Sequence, residues 1–205
     1  MGLVCPELTE DHTDMPLSVP VTPSLIAAED ALIAHLRQHA ELLRSAHAAT
    51  REWRYPSQFH LLLDLGRRFA PVPRPADLVG MPDRRCYSNA AQYALEHEDE
   101  GVVYAEGFAQ THEGLDFYLP HAWVALPDGT ALDPTWDDQP GRAYVGVPVA
   151  DRRLWPFDGG GLFQDFDRTL PLLRDGIPRE ALAELGRPMD PSNREARPGA
   201  TDPSA

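Results

Sequence analysis

Apolar residues recur every three or four positions between residues 24 and 50, and charged residues occupy the opposite face of the same segment. This spacing is typical of an amphipathic α-helix. The apolar positions are Leu25, Ile26, Ala28, Leu32, Ile33, Leu36, Leu42 and Leu43. We predict that this helix begins at Pro23 or Ser24 and ends near Thr50. Pro56 prevents any continuation, because the residue before a proline avoids the helical conformation.

Two more helices are predicted downstream, over residues 57–68 and residues 83–98. Their apolar positions at helical spacing are Phe59, Leu62, Leu63 and Leu65 in the first, and Ala90, Ala91, Tyr93, Ala94 and Leu95 in the second. Gly101 is expected to end the second helix. Residues 71–82 contain four prolines and predict a linker between the two helices.

Strand patterns follow the helices along the chain. Residues 102–109 alternate in the way that a strand requires, and residues 144–149 predict a further short strand. An Asp-Gly turn joins the apolar segments 121–126 and 130–133, which is a strong signal for a β-hairpin. Because helices come first and strands later, we predict an α+β fold with N-terminal helices packed on an antiparallel sheet.

The composition changes at both ends of the chain. Residues 1–23 combine four prolines with several acidic residues and predict a flexible arm. Residues 24–170 form the predicted folded domain, and residues 171–205 a C-terminal extension that is disordered from about residue 188. Within the domain, residues 157–166 combine glycines and aromatic residues and predict a mobile loop.

Charge narrows the classes of partner. The chain has 205 residues with 18 basic and 32 acidic side chains, a net charge of −14 that disfavours binding to nucleic acid. All the basic residues are arginines, which excludes lysine Schiff-base chemistry and a P-loop. Two cysteines favour a reducing, cytoplasmic location. No apolar run approaches the roughly 18 residues of a membrane span, so we expect no membrane partner.

Three residues in the predicted elements suggest nucleophilic catalysis. Cys86 lies in the first turn of a helix, where the helix dipole favours the thiolate form of a cysteine. His121 lies on the first hairpin strand and Asp133 on the second, 12 residues later. An imidazole accepts the thiol proton, and a neighbouring carboxylate orients the imidazole. The hairpin therefore predicts that His121 and Asp133 lie side by side within reach of Cys86.

The motifs around these residues resemble a known family. Cys86-Tyr-Ser-Asn-Ala, Tyr104-Ala-Glu-Gly, His121-Ala-Trp-Val and Asp133-Pro-Thr-Trp resemble the transglutaminase-like branch of the papain-like cysteine enzymes. The resemblance covers residues 83–136 and implies a papain-like, transglutaminase-like fold for the domain. It assigns Cys86 as nucleophile, His121 as general base and acid, and Asp133 as the orienting carboxylate. The family usually has a glycine close before its cysteine, whereas Pro82-Asp-Arg-Arg precedes the cysteine here.

Four further residues are candidates for the cleft or for substrate binding. Asn89 lies one helical turn after the cysteine and either lines the cleft or binds a buried backbone group, which we favour. Glu106 interrupts an apolar strand and either binds a cationic group of the substrate or faces solvent. Trp123 and Trp136 are interpreted as core residues that flank the catalytic residues. No metal or cofactor site is predicted.

These observations favour a thiol-dependent hydrolase or acyltransferase that acts on an amide or peptide-like bond, with peptidase or amidase activity preferred. The substrate would be a peptide, a protein or a small amide. One alternative is an enzyme that transfers the acyl group to amines, which gives crosslinking or N-acylation. Another is a catalytically idle binding module with an acidic cleft, which would be favoured if aromatic residues near Phe157 and Phe163 filled the groove. The oligomeric state is left open by the sequence.

Overall fold

The computed structural model describes residues 20–46, 52–111, 117–136 and 140–189. Most of the predicted N-terminal arm, the predicted end of the first helix near Thr50 and nearly all of the predicted disordered tail lie outside the described residues. The helices are α1 (Pro23–Ala46), α2 (Gln58–Leu65), α3 (Cys86–Glu96) and α4 (Phe166–Asp175), and the strands are β1 (Arg67–Val72), β2 (Val103–Gln110), β3 (Tyr118–Ala125), β4 (Thr130–Leu132), β5 (Ala143–Val149) and β6 (Arg187–Pro188).

The strands form one sheet that closes on itself. Its order is β4-β3-β2-β5-β1-β6, and each strand pairs antiparallel with its neighbours in this order. β1 pairs in addition with β4 in parallel, with Ala70 opposite Thr130 and Val72 opposite Leu132. This pairing closes the five strands β1, β2, β3, β4 and β5 into a barrel. β6 pairs with β1 and lies outside the closed part of the sheet.

The predicted papain-like, transglutaminase-like arrangement is therefore wrong. The fold is α+β, but the sheet is a closed barrel and not an open antiparallel sheet that carries N-terminal helices. The difference arises at β1, which the sequence assigned to the end of a helix and a proline-rich linker. Gly66 ends α2, with its N–H bound to the carbonyl of Leu62 at 2.9 Å, and the chain continues directly into the strand.

The barrel has two differently packed faces. Its interior is filled by small and aromatic side chains: Phe69, Ala105, Ala109, Trp123, Ala125, Ala131 and Tyr144. Its outer face packs against the helices, with α3 against β2 and β3, and with α1 and α2 against β5. Alternate residues of each strand therefore serve two separate cores. A side chain that points inward from β3 lies on the barrel side, whereas α3 covers the other side.

Two glycines face each other where β2 and β5 pair. Gly107 lies opposite Gly146 in the antiparallel register. A Cβ atom at residue 146 would lie only 2.6 Å from the indole ring of Trp123, and a Cβ atom at residue 107 would lie 2.5 Å from the Cα of Gly146. The absence of a side chain at Gly146 leaves room for the Trp123 ring inside the small barrel, and its absence at Gly107 lets β2 and β5 approach closely.

A helix that the sequence analysis did not predict begins at the last residue of the predicted mobile loop. α4 begins after Asp165, whose carboxylate accepts a hydrogen bond from the N–H of Asp167 and so caps the helix. Its buried residues are Thr169, Leu172 and Leu173. None of the helices in the described ranges combines the length and apolar content needed to cross a membrane.

Candidate active site

The two residues before α3 have an unusual backbone conformation. Arg84 adopts a left-handed conformation with φ of 61°, which is uncommon outside glycine, and Arg85 is the N-cap of the helix. Cys86 is the first residue of α3 and is partly exposed. Glycine adopts this left-handed conformation at the least cost. Arg84, two residues before the cysteine, adopts it at a higher conformational cost.

His121 and Asp133 form a buried pair at the end of the barrel. The imidazole Nε2 lies 2.6 Å from the Asp133 Oδ2, and each residue is only 3% exposed. The register of β3 and β4 places Val124 opposite Leu132, and its continuation puts Asp133 beside Trp123, diagonal to His121. The two side chains therefore meet on the inner face of the hairpin, although they are not directly opposite each other.

Asp133 is held as a carboxylate by several donors. Its Oδ1 accepts hydrogen bonds from the backbone N–H groups of Thr135, at 2.9 Å, and Trp136, at 3.1 Å. Burial alone would raise the pKa of Asp133, but the hydrogen bond and charge of His121 and these two backbone donors bring it below its usual value. The residues after β4 therefore fold back to stabilise the negative charge beside the imidazole.

His121 is biased toward its charged form. Burial would lower its pKa, but the hydrogen bond and charge of Asp133, together with a hydrogen bond and charge from Cys86, raise the pKa to about 9. Because Nε2 is bound to Asp133, Nδ1 is the ring nitrogen that remains for the Cys86 thiol. The indole of Trp136 stacks on the imidazole with ring centroids 4.1 Å apart and covers one face of it. The structure thus brings together the three residues that the sequence predicted as catalytic.

The sequence did not identify Tyr144 as part of this site. Its side chain is fully buried inside the barrel, and its hydroxyl donates to the Asp133 Oδ2 at 3.0 Å and accepts from the N–H of Gly141 at 2.8 Å. Tyr144 lies on β5, which does not pair with the hairpin strands β3 and β4 within the barrel order. The strand periodicity shows that Tyr144 alternates with its neighbours, but not that its hydroxyl reaches an aspartate.

We expect Tyr144→Phe to lower the free energy of unfolding by about 1–3 kcal/mol, because the Gly141 N–H loses its acceptor and Asp133 loses a donor in a buried site. Denaturant unfolding measures the loss. Tyr93→Phe is the matched control: Tyr93 is partly exposed and its ring stacks on His97, so its change should stay within about 0.5 kcal/mol. Equal effects of the two substitutions would show that the Tyr144 hydroxyl stabilises nothing.

Asn89 connects the two segments that carry the predicted catalytic residues. Its side-chain amide donates to the carbonyl of Pro82 at 2.8 Å and to the hydroxyl of Thr135 at 3.0 Å, and the residue is 3% exposed. A backbone bond from Met81 to Pro134 lies alongside, at 2.9 Å. Asn89 therefore fastens the chain before Cys86 to the chain after Asp133, which is a positioning role.

The remaining candidates are placed differently. Trp123 is fully buried in the barrel, where its ring meets Phe69 edge-on at 5.8 Å, whereas Trp136 is partly exposed and contacts His121. Glu106 is buried on the outer face of β2 and does not face solvent. Its carboxylate accepts hydrogen bonds from the Tyr104 hydroxyl and from the backbone of Leu162 and Phe163.

Within the part of the chain that the structure describes, no group of three His, Cys, Asp or Glu side chains is arranged to hold a metal ion. The His97 imidazole pairs with the Glu100 carboxylate at 2.9 Å.

Comparisons of the chain with protein-family models, curated proteins and solved structures found no match. The chemistry of the site is therefore inferred from its own geometry: a thiol at a helix start, an imidazole beside it and a carboxylate that holds the imidazole.

Proposed function

We propose that the protein is a thiol-dependent hydrolase or acyltransferase that acts on an amide or peptide-like bond, with peptidase or amidase activity favoured. The observation that carries this proposal is the position of His121, whose Nε2 is 2.6 Å from Asp133 while its other nitrogen is left to Cys86. The order of the motifs, which resemble those of transglutaminase-like enzymes, supports the same chemistry. The resemblance is confined to these motifs, since the barrel differs from the arrangement that the family implied.

The first half of the reaction forms a thioester. The thiol proton passes to Nδ1 of His121, whose raised pKa favours the imidazolium, and the Cys86 sulfur then attacks the carbonyl carbon of the substrate. The resulting imidazolium is stabilised by the Asp133 carboxylate, which remains ionised. Collapse of the tetrahedral intermediate breaks the C–N bond, and His121 returns the proton to the leaving amine.

The second half releases the acyl group. A water molecule, or an amine in the acyl-transfer version, gives a proton to His121 and attacks the thioester carbon. The C–S bond then breaks, and the proton on His121 returns to the Cys86 sulfur. Water yields a carboxylic acid and an amine yields a new amide. The chain has no lysine, so lysine-based crosslinking of the protein to itself is excluded.

The start of α3 favours the charges that develop in both steps. The first N–H groups of a helix have no partner within it, so they are available to an oxyanion, and the helix dipole stabilises negative charge at the same end. Cys86 is the first residue of this helix and is partly exposed, as a residue that meets substrate must be. The partial exposure of Cys86 and of Phe157 favours catalysis, whereas the burial of Phe163 is what an idle binding module would require.

Selective alkylation of Cys86 tests this proposal. We expect iodoacetamide to label Cys86 about ten times faster than Cys5 near pH 7, because the thiolate is the reacting species and His121 stabilises it. Mass spectrometry of the folded full-length chain measures the two rates separately. His121→Ala should bring the Cys86 rate down to that of Cys5 and leave the Cys5 rate unchanged.

A panel of fluorogenic amide substrates then tests turnover, with Cys86→Ala as the inactive control. Cleavage that disappears in Cys86→Ala supports the hydrolase, and release of amine only in the presence of an added acceptor amine supports acyl transfer. A Cys86 that reacts no faster than Cys5 in the folded protein would contradict the proposal and favour the idle binding module.

A further inference from the structure

A buried carboxylate lies beside the proposed thiol site and takes no part in the reaction described above. Glu106 is 1% exposed, and its Oε2 accepts hydrogen bonds from the Tyr104 hydroxyl and from the Leu162 N–H, the latter at 2.6 Å. Its Oε1 accepts from the Phe163 N–H at 2.8 Å. Two of these three donors belong to the backbone of residues 160–163, which we call the anchored segment.

The anchored segment is also held from the side of α4. The Thr169 hydroxyl bonds to the carbonyl of Leu162 at 2.8 Å, and the Arg168 guanidinium bonds to the carbonyl of Gly160 and to the Asp158 carboxylate. Leu162 and Phe163 are buried, at 2% and 4% exposure. The glycine-rich sequence that predicted a mobile loop is therefore fixed at two sides, by β2 and by α4.

The anchored segment presses against the residue that follows the thiol. A Cβ atom at Gly161 would lie 2.5 Å from the Glu106 Oε1 and 2.6 Å from the ring of Tyr87, so both groups already touch the backbone there. Burial, with added effects of the Glu106 and Cys86 charges, raises the pKa of Tyr87 well above its usual value. Glu106, the anchored segment and Tyr87 thus form a continuous set of contacts that ends at Cys86.

We propose that Glu106 is a positioning residue that holds the anchored segment against Tyr87 and thereby fixes Cys86 for its reaction with substrate. The structural part of this proposal stands by itself, and its consequence at Cys86 rests on the proposed function. Glu106 touches neither the imidazole nor the thiol directly in any described contact. It acts through backbone groups of the segment and through the Tyr87 ring.

Protonation of Glu106 gives this role a measurable signature. Burial raises its pKa to about 7, although the Tyr104 hydroxyl, the two backbone donors and the Arg168 charge pull it down. The ionisable groups that face it are Tyr104 on β2, Tyr87 on α3 and Arg168 on α4. When the segment opens, water reaches the carboxylate and its pKa returns toward 4.5.

The sign of the pH effect follows from these two values. The closed segment binds the Glu106 proton more tightly than the open one, so closure is strongest below pH 4.5. Opening becomes easier as the pH rises from 4.5 to about 7 and changes little above that. The opening equilibrium should increase by at most about tenfold per pH unit within this window.

Amide hydrogen exchange of the full-length protein measures the opening. The protection factors of Leu162 and Phe163, corrected for the intrinsic exchange rate, should fall between pH 5 and pH 7 by about tenfold or more. The amides of Ala90 and Ala94 in the middle of α3 serve as an internal reference for global unfolding. Protection of Leu162 and Phe163 that follows the reference at every pH would overturn the proposal.

Three variants separate the carboxylate from mere packing. Glu106→Gln keeps the size and removes the titration, so the pH dependence at Leu162 and Phe163 should disappear. Thr169→Val removes the hydrogen bond that holds the same segment from α4, so protection should fall while its pH dependence persists.

Tyr104→Phe removes a donor that favours the ionised carboxylate, so the midpoint of the pH dependence of protection should move to higher pH. This variant decides the matter if Glu106→Gln does not fold. An unmoved midpoint in Tyr104→Phe, or a pH dependence that survives in Glu106→Gln, contradicts the role of Glu106.

Alkylation of Cys86 tests the last step. We expect Glu106→Gln to slow iodoacetamide labelling of Cys86 by about tenfold at pH 7, since small displacements of a reacting group are costly. Labelling of Cys5 should not change. An unchanged Cys86 rate beside altered exchange would overturn positioning of the thiol. If wild-type Cys86 reacts no faster than Cys5, the proposed function fails, whereas the exchange data still decide whether Glu106 anchors the segment.

Discussion

Asp133→Asn is expected to lower the pKa of His121 from about 9 to below 6.5 and to slow alkylation of Cys86 by up to about tenfold at pH 7. The reason is that Asp133 provides the main effects that raise the His121 pKa against burial. An asparagine is uncharged and offers only one acceptor oxygen, so the buried imidazole becomes neutral near pH 7. A neutral imidazole no longer stabilises the Cys86 thiolate by its charge.

Two measurements check this result. The ring protons of His121 give its titration midpoint by NMR, and mass spectrometry gives the Cys86 labelling rate. Asp128→Asn is the matched control, because Asp128 lies in the turn of the same hairpin and its Oδ1 bonds only to Thr130 among the described contacts. The control should leave both quantities unchanged. A His121 midpoint that stays near 9 in Asp133→Asn would show that the carboxylate does not set the charge of the imidazole.

The same substitution should change the pH dependence of stability. The pKa of His121 is raised on folding, so its contribution is fully present below pH 6.5 and is lost as the pH rises through about 9. The free energy of unfolding of the wild-type protein should therefore decline between these values. In Asp133→Asn this alkaline decline should be much smaller. Urea unfolding at pH 6, 7.5 and 9 measures the difference.

The sequence predicted the proximity of His121 and Asp133, because their contact is local. They are 12 residues apart in one hairpin, so the Asp-Gly turn alone brings His121 on β3 close to Asp133, which directly follows β4. Helical periodicity likewise located α1 and α3, because each buries one face against the barrel. These predictions needed only information from within one element or one turn.

Long-range contacts account for what the sequence did not predict. The barrel closes by the parallel pairing of β1 with β4, and β1 carries two arginines and a proline that hide its strand pattern. The Glu106 carboxylate meets the Leu162 N–H across 56 residues, so an acidic residue in a strand gave no sign of an anchoring role. Tyr144 reaches Asp133 from a strand outside the hairpin, through the interior of a barrel that was not foreseen.

The filled barrel interior also requires a residue without a side chain at Gly146, which the periodicity of the sequence does not show. We expect Gly146→Ala to lower the free energy of unfolding by about 3 kcal/mol, because a methyl group there enters a filled core and forces the barrel to shift. Its Cβ would lie 2.6 Å from the Trp123 ring and even closer to the backbone carbonyl of Glu106. A strand carbonyl has little freedom to move, so the strain falls on β2 and on Trp123.

Gly159→Ala is the control for this change. Gly159 has a positive φ of 96°, but a Cβ there would meet no atom within 4 Å, so only the backbone conformation is penalised, by about 1 kcal/mol. Denaturant unfolding compares the two variants. Trp123 follows His121 by two residues on the inner face of β3, so Gly146→Ala should also slow Cys86 labelling, whereas Gly159→Ala should not. Equal losses of stability in the two variants would contradict the prediction, because they would show that the barrel interior accommodates a methyl group at residue 146 without strain.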